Sequence, residues 1–328
     1  MLINRIRKGL PLLPVFTALI LFALRPEQAA AAAAEGAALC LQSVIPALLP
    51  FLITTNAVIR IGIPEPLLRA LGRPFEKWFH IRRTALPALL LGLIGGCPVG
   101  AAAAVECLRR KDCSREEAER LVVFTNNCSP AFLLAVLGGK VLKNPREAVM
   151  LLLLQWMVSV YLGWLLGTGH TASVGTGHIP MGDKGGINRI LTDSVKEGGR
   201  TCLLISAYVV FFSAVSAFLP ETPLLYGMLE LTGGILRLGG SGQYKTVAAA
   251  FLLGWGGLAV ACQVMAVSEG EGIRTGHYLP WRFLHGALMA LAAFCFEKSP
   301  LFWPVPLCFA AILAIIVKKS RKRGEIAV

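Results

Sequence analysis

The stretch Gly92-Leu93-Ile94-Gly95-Gly96-Cys97-Pro98-Val99-Gly100 sets four glycines and a proline inside an apolar run, a composition that breaks a helix. Backbone freed by such a break needs hydrogen-bond partners that lipid cannot offer, so it must face protein or a water-filled cavity. The exposed helix ends then present N–H groups and dipoles to a solute. A second interruption, Gly254-Trp255-Gly256-Gly257, is followed by Gln263. Close packing of helices through small residues accounts for one such stretch equally well, but two at equivalent repeat positions favour a binding site. A third cluster, Phe124-Thr125-Asn126-Asn127-Cys128-Ser129-Pro130, puts two amides and two hydroxyls early in an apolar run. Such side chains are costly inside a span, although Asn and Ser also serve as helix caps near an interface. From these motifs the expected solute-binding set is Gly95, Gly96, Cys97, Pro98, Thr125, Asn126, Asn127, Ser129, Gly256, Gly257 and Gln263.

Catalytic and metal chemistry find no support. Glu106, Asp112, Glu116, Glu117 and Glu119 fall in or beside one loop, interleaved with Arg109, Arg110, Lys111, Arg115 and Arg120, as at the solvated start of a helix. Glu147 and Glu297 sit at span edges, and no carboxylate is read at mid-span. The five histidines are scattered, and the nine cysteines are odd in number with no Cys-x-x-Cys pair. The expectation is a protein that is not an enzyme, with no catalytic residue, metal or cofactor.

The elements that must position the motifs follow from composition. Hydrophobic residues make up 55% of the 328 and charged residues 16%, against about 25% charged in a soluble domain. Apolar runs long enough to cross a bilayer recur along the chain. The net charge of +13 resides in short loops between these runs, where it sets orientation and does not point to nucleic acid. The reading is an all-α polytopic membrane protein: an N-terminal transmembrane helix or signal-like segment at 1–30, a first repeat at 31–168, a polar linker at 169–196, a second repeat at 197–317 and a basic tail at 318–328. Within the repeats, spans are read at about 37–60, 121–143, 148–168, 198–219, 282–297 and 301–317, and the pieces 64–80 and 223–238 are placed at the interface.

A shift of 161 or 162 residues aligns Glu35-Gly36 and Cys40 with Glu197-Gly198 and Cys202, Gly72 with Gly233, and Gly95-Gly96 with Gly256-Gly257. With both Gly-Gly stretches as re-entrant hairpins, each half has an odd number of crossings and the repeats are inverted. The N-terminal side then holds 19 of the 32 Lys and Arg, but the basic tail falls on the opposite side.

Gly-Gly-Cys-Pro-Val-Gly at 95–100, Glu117 to Leu121 running into Phe124 to Pro130, Gly256-Gly257 with Gln263, and Tyr278-Leu279-Pro280 before Leu284-His285 together resemble the YlbJ-type sporulation integral membrane proteins, members of the wider nucleoside-recognition or Gate-domain group. The likeness runs from about 37 to 300. It implies a transporter of a small anionic metabolite, dipicolinic acid, across the mother-cell-derived outer forespore membrane, with a fold similar to concentrative nucleoside transporters. Where many relatives carry a basic residue after the Gly-x-Pro-x-Gly-Ala element, this chain has Ala102. A nucleoside or other neutral-solute carrier, and a non-transporting assembly factor for sporulation, are the alternatives. The expected partners are a solute, the lipid bilayer, and a second copy or another sporulation membrane protein.

Overall fold

The computed structural model describes residues 13–62, 65–170, 186–240 and 244–298, and among them every regular element is a helix. The expected span 301–317, the basic tail 318–328, residues 1–12 and residues 171–185 of the linker lie outside the described residues.

Helix α1 (Leu13–Leu24) meets α2 (Pro26–Leu39) at a bend of 109°, at the one residue that Pro26 forces out of helical geometry, Arg25. The alanine-rich segment once past this bend is strongly helix-forming, so α2 begins at Pro26 and not near residue 37. It continues through a wider π turn (Cys40–Val44) into α3 (Ile45–Ile61). That turn lies just before Pro46, which cannot donate to the carbonyl four residues back.

This long helix packs along α10 (Ile187–Ser216), which begins within the range expected for the linker. Gln28 donates to the Ala217 carbonyl at 2.7 Å, Gly36 abuts Ser213, Cys40 lies 3.8 Å from the Ser206 carbonyl, Gly198 abuts Ile53, and Arg60 pairs with Asp193 at 3.4 Å. As numbers rise on one helix they fall on the other, so the two run antiparallel along their length.

Helix α4 (Glu65–Phe79) is amphipathic, as expected, and buries Phe75 and Phe79. Phe79 stacks on Phe124 with ring centroids 5.3 Å apart. Arg120 is not solvated: it is buried and donates to the Phe79 and His80 carbonyls, closing the C-terminal end of α4. Glu117 is buried as well, in the capping box that starts the helix at Arg115 and in an ion pair with Arg82.

Helices α5 (Leu86–Gly95) and α6 (Val99–Arg109) form a hairpin. A side chain on Gly92 or on Gly100 would collide with the same Thr125 carbonyl oxygen. On a straight helix those two glycines would stand about 12 Å apart, so the chain must reverse between them. Helix α7 (Arg115–Thr125) runs to an unwound stretch at 126–129 and resumes in α8 (Phe132–Leu142), which has the wider π geometry. The expected span 121–143 is therefore a broken helix. Helix α9 (Pro145–Gly167) follows.

In the second half the hairpin is not at Gly254–Gly257. It is formed by α11 (Pro223–Leu229) and α12 (Leu231–Arg237), with Glu230 at the tip. A side chain on Gly234 would strike the Gly227 backbone, and Arg237 lies 3.7 Å above the Tyr226 ring, which requires reversal at Glu230. Helices α13 (Lys245–Trp255) and α14 (Gly257–Ser268) are instead one interrupted span, Lys245–Ser268, with Gly256 at φ +86°. Glycine takes that backbone conformation without strain, so the break redirects the peptides while the helix axis carries on.

Helix α15 (Tyr278–Lys298) completes the described fold. Pro145–Gly167, Ile187–Ser216, Lys245–Ser268 and Tyr278–Lys298 are each long and apolar enough to cross a membrane, and the bent pair α1–α2 could supply a fifth crossing. Because α13–α14 crosses, the loop after it returns to the face of the 109–120 loop. Arg109 pairs there with Glu271 at 2.7 Å, and Glu119 accepts from the Arg274 N–H at 2.9 Å. The expectation that 269–277 lies on the opposite face is thereby corrected.

Candidate solute-binding site

The two hairpin tips and the two helix breaks converge on one buried cavity of about 60 Å³. The α5–α6 tip contributes Gly96 and Cys97, the α7–α8 break Cys128 and Ser129, the second tip Glu230 and Thr232, and the α13–α14 break Gly256, with Gln263 about two turns further on. Arg282, from the start of α15, closes the ring. A larger depression of about 1200 Å³ lies between α4, α9 and α15, but Leu153, Met157, Trp78 and Phe296 line it, and the polar groups do not gather there. Its chemistry suits acyl chains better than a polar solute.

Of the residues expected at the site, Gly96, Cys97, Ser129, Gly256 and Gln263 line the cavity. Gly95 and Pro98 flank the first tip, and Gly257 abuts the backbone of Leu229 and Leu231 at the second. Thr125, Asn126 and Asn127 are fully buried but do not line it. Their polar atoms replace the hydrogen bonds that the break removes. Thr125 donates to Leu121 O at 2.7 Å; Asn126 donates to Val122 O at 2.6 Å and accepts from Ala101 N at 3.0 Å. Asn127 donates to Phe124 O and to Ser159 Oγ at 2.9 Å, and Ser159 in turn donates to Phe124 O. Gln155, from α9, binds both sides of the Cys128 peptide: its amide accepts from Cys128 N at 3.2 Å and donates to Cys128 O at 2.9 Å. Ser129 accepts from Phe132 N at 3.2 Å, capping the resumed helix.

Two charged groups at the cavity were not anticipated. Glu230 is 2% exposed, and its carboxylate accepts from Thr232 N at 2.9 Å and Gly233 N at 2.5 Å, capping α12. Arg282 is 1% exposed and donates to His285 Nδ1 at 2.9 Å and to Leu253 O at 3.3 Å. Glu230 falls in the piece 223–238 expected at the interface and Arg282 at the first residue of the span expected at 282–297, so the reading of no carboxylate at mid-span is corrected by the buried Glu230. The signal was present in Gly227 and Gly233-Gly234 flanking Glu230, a spacing that permits a close helical hairpin. Gln155 and Ser159 lacked a comparable signal, since single polar residues in apolar runs commonly bond to nearby helices. Ala102, where relatives were expected to carry a basic residue, is exposed on α6 and away from the cavity.

The helix ends at the cavity offer N–H donors to an anion. Three helices of eleven or twelve residues, α6, α8 and α14, begin there with their positive ends, while α5, α7 and α13 end beside it with their negative ones. The guanidinium of Arg282 adds a full positive charge, opposed by Glu230. Among the described residues no group of His, Cys, Asp and Glu could hold a metal ion.

Fold and centre together describe an integral membrane protein, helical throughout its described residues, in which helix ends and two buried charged side chains meet at one cavity. The sporulation integral membrane protein YlbJ of Bacillus subtilis (strain 168) is 24% identical to this chain, with 81% of this chain and 77% of that protein covered. This likeness supports a YlbJ-type assignment. No protein-family model matches the chain, and no solved structure matches it.

Proposed function

We propose that the chain is a carrier, and not an enzyme, that moves a small anionic metabolite through the cavity between the hairpin tips. The observation that carries this reading is the convergence of three helix N-termini and a buried guanidinium on one cavity, walled on its other sides by Val44, Leu48, Ile205 and Val209. Discontinuous helices are the means by which transporters bind solutes at mid-membrane. The cavity has room for a few water molecules and is well below the roughly 300 Å³ of a ligand pocket, so this conformation is occluded and a hairpin must move to admit a solute. The proposed substrate is dipicolinic acid and the proposed location the outer forespore membrane, as the sequence resemblance implies; the relative named above is a sporulation integral membrane protein.

The proposed architecture is an inverted repeat of the kind found in concentrative nucleoside transporters, in a register different from the shift of 161. Hairpin α5–α6 corresponds to α11–α12, the break in α7–α8 to that in α13–α14, and α9 to α15. Tips 97 and 230, breaks 126 and 256, and helix starts 145 and 278 are offset by 133, 130 and 133 residues. The long helices α2–α3 and α10 are the leading pair, and their antiparallel packing is what inversion demands. Helix α4 has no counterpart, which accounts for the larger offset between the long helices. The face carrying 60–83, 109–120, 187–200 and 269–277 is the basic one and is assigned to the cytoplasm of the mother cell. With 301–317 as a further span, the basic tail joins that face.

The test is uptake of labelled dipicolinic acid into proteoliposomes, with and without a proton gradient. Saturable uptake displaced by unlabelled dipicolinate and not by uridine is expected. Uptake displaced by uridine alone would replace this reading with a nucleoside carrier. No flux of either, with stoichiometric co-purification of another membrane protein, would replace it with an assembly factor.

A further inference from the structure

We infer that Arg282 is the carboxylate-recognition residue of the cavity, holding one acid group of the solute against its guanidinium. The inference rests on the carrier reading for its role in transport, but not for binding itself.

A guanidinium cannot shed its charge by deprotonation under physiological conditions. Burying it therefore requires counter-charge or full hydrogen bonding, and an uncompensated buried ion is strongly destabilising. Arg282 is 1% exposed, yet it takes part in none of the ion pairs among the described residues. Its two bonds go to neutral acceptors, a histidine ring nitrogen and the Leu253 carbonyl, and its Nε has no partner. Glu230 shares the cavity, but its oxygens are turned to the N–H groups of Thr232 and Gly233. The cation is thus held in place by protein and left one anion short.

The surroundings match a carboxylate. A side chain on Gly256 would lie 3.7 Å from Arg282 Nη2, so glycine there leaves space beside the guanidinium at the N-terminal end of α14. Tyr278 is four residues before Arg282 on α15, and its hydroxyl is buried without a partner. It does not line the cavity in this conformation, but it lies one turn from Arg282 on the same helix face, where the widening needed to admit a solute brings a second donor to the ligand. Arginine rather than lysine suits the task, because its planar fork matches both oxygens of a carboxylate. The chemical class is an aromatic or small aliphatic carboxylate whose acid group lies toward α15 and away from Glu230.

The test is binding to the purified full chain in detergent, read from the thermal-unfolding midpoint as probe is titrated. The probes are pyridine-2,6-dicarboxylate and the neutral pyridine-2,6-dicarboxamide. In the unaltered protein the dicarboxylate should raise the midpoint and the diamide should not. Arg282→Gln should weaken half-saturation by the dicarboxylate at least tenfold, and Arg282→Lys should fall between the two. Tyr278→Phe, which removes only an unpaired hydroxyl, should weaken it several-fold without lowering the ligand-free midpoint, and it decides the matter if Arg282→Gln fails to fold. Equal affinity in Tyr278→Phe and a well-folded Arg282→Gln, equal stabilisation by the diamide, or no stabilisation by the dicarboxylate would each overturn the assignment. Dicarboxylate binding without any flux in proteoliposomes would sink the carrier reading and leave the site standing. Flux unaltered by Arg282→Gln would do the reverse.

Discussion

Gln155 makes a demanding test of how the break at 126–129 is held open. Its side chain is fully buried and binds both the N–H and the C=O of Cys128, at 3.2 and 2.9 Å. Gln155→Met keeps much of the volume and removes both bonds. A buried polar group left without a partner costs about 1–3 kcal/mol, so the two together would cost about 2–6 kcal/mol. Cys128 borders a cavity able to admit water, which lowers the expectation to about 2–4 kcal/mol. Gln155→Glu separates the two bonds. A neutral carboxyl can donate to Cys128 O and accept from Cys128 N, whereas the ionised form can only accept. The Glu variant should therefore gain on the Met variant as pH falls. Unfolding in mixed micelles with rising SDS, followed by tryptophan fluorescence, measures both; Trp156 donates to Leu93 O at 3.0 Å and reports on the adjacent hairpin. A Met variant within about 0.5 kcal/mol of the original, the range of an ordinary surface change, would refute the idea that Gln155 sustains the break.

Gly100→Val should lower the unfolding midpoint markedly, because the new side chain meets the backbone and the hydroxyl of Thr125; overpacking of this kind costs about 1–3 kcal/mol or more. Gly139→Ala, whose nearest neighbour would be 3.8 Å away, is the control that should show no such loss in the same melt. Cysteines placed at Gly239 and Gly276, positions with open space around them, should react with an impermeant maleimide from opposite faces of oriented vesicles; labelling from one face would restore a hairpin at 254–257. Burial raises the Asp112 carboxyl above its ordinary value, in the turn between α6 and α7. Its charged form is thus disfavoured by folding, so Asp112→Asn should stabilise the protein at pH 7 and lose that advantage below about pH 4, where the unfolded carboxyl is also protonated. Melting curves of the two proteins at pH 4 and pH 7 check the sign.

The helical class and the membrane setting were legible because apolar runs of about 20 residues carry their meaning locally. So was the reversal at Gly95 to Gly100, where glycines sit on both sides of a proline. The second hairpin was missed because Gly254 to Gly257 repeats the composition of the first without its proline. A positive φ at Gly256 can turn a chain back or merely interrupt it, and the choice is made by what packs alongside, here Gly254 on Gly286 of α15. Asn126 and Asn127 stand out in the sequence as polar residues in an apolar run, yet their bonds to Ala101, Val122, Phe124 and Ser159 depend on neighbours 25 to 32 residues away as well as on their own turn. Glu230 and Arg282 stand 52 residues apart in sequence with no motif joining them. Only the hairpin and the start of α15 bring them to one cavity.

The central claim, that solute passes through this cavity, is tested most directly by obstructing it. Ala259 lines the cavity in the first turn of α14 and is 2% exposed, so Ala259→Phe would place a ring in the available space. The measurement is uptake of labelled dipicolinic acid by proteoliposomes holding equal amounts of the two proteins, each shown to be inserted and to unfold cooperatively. The account predicts saturable uptake with alanine and background uptake with phenylalanine. Equal uptake by both would place the pathway elsewhere and contradict the account.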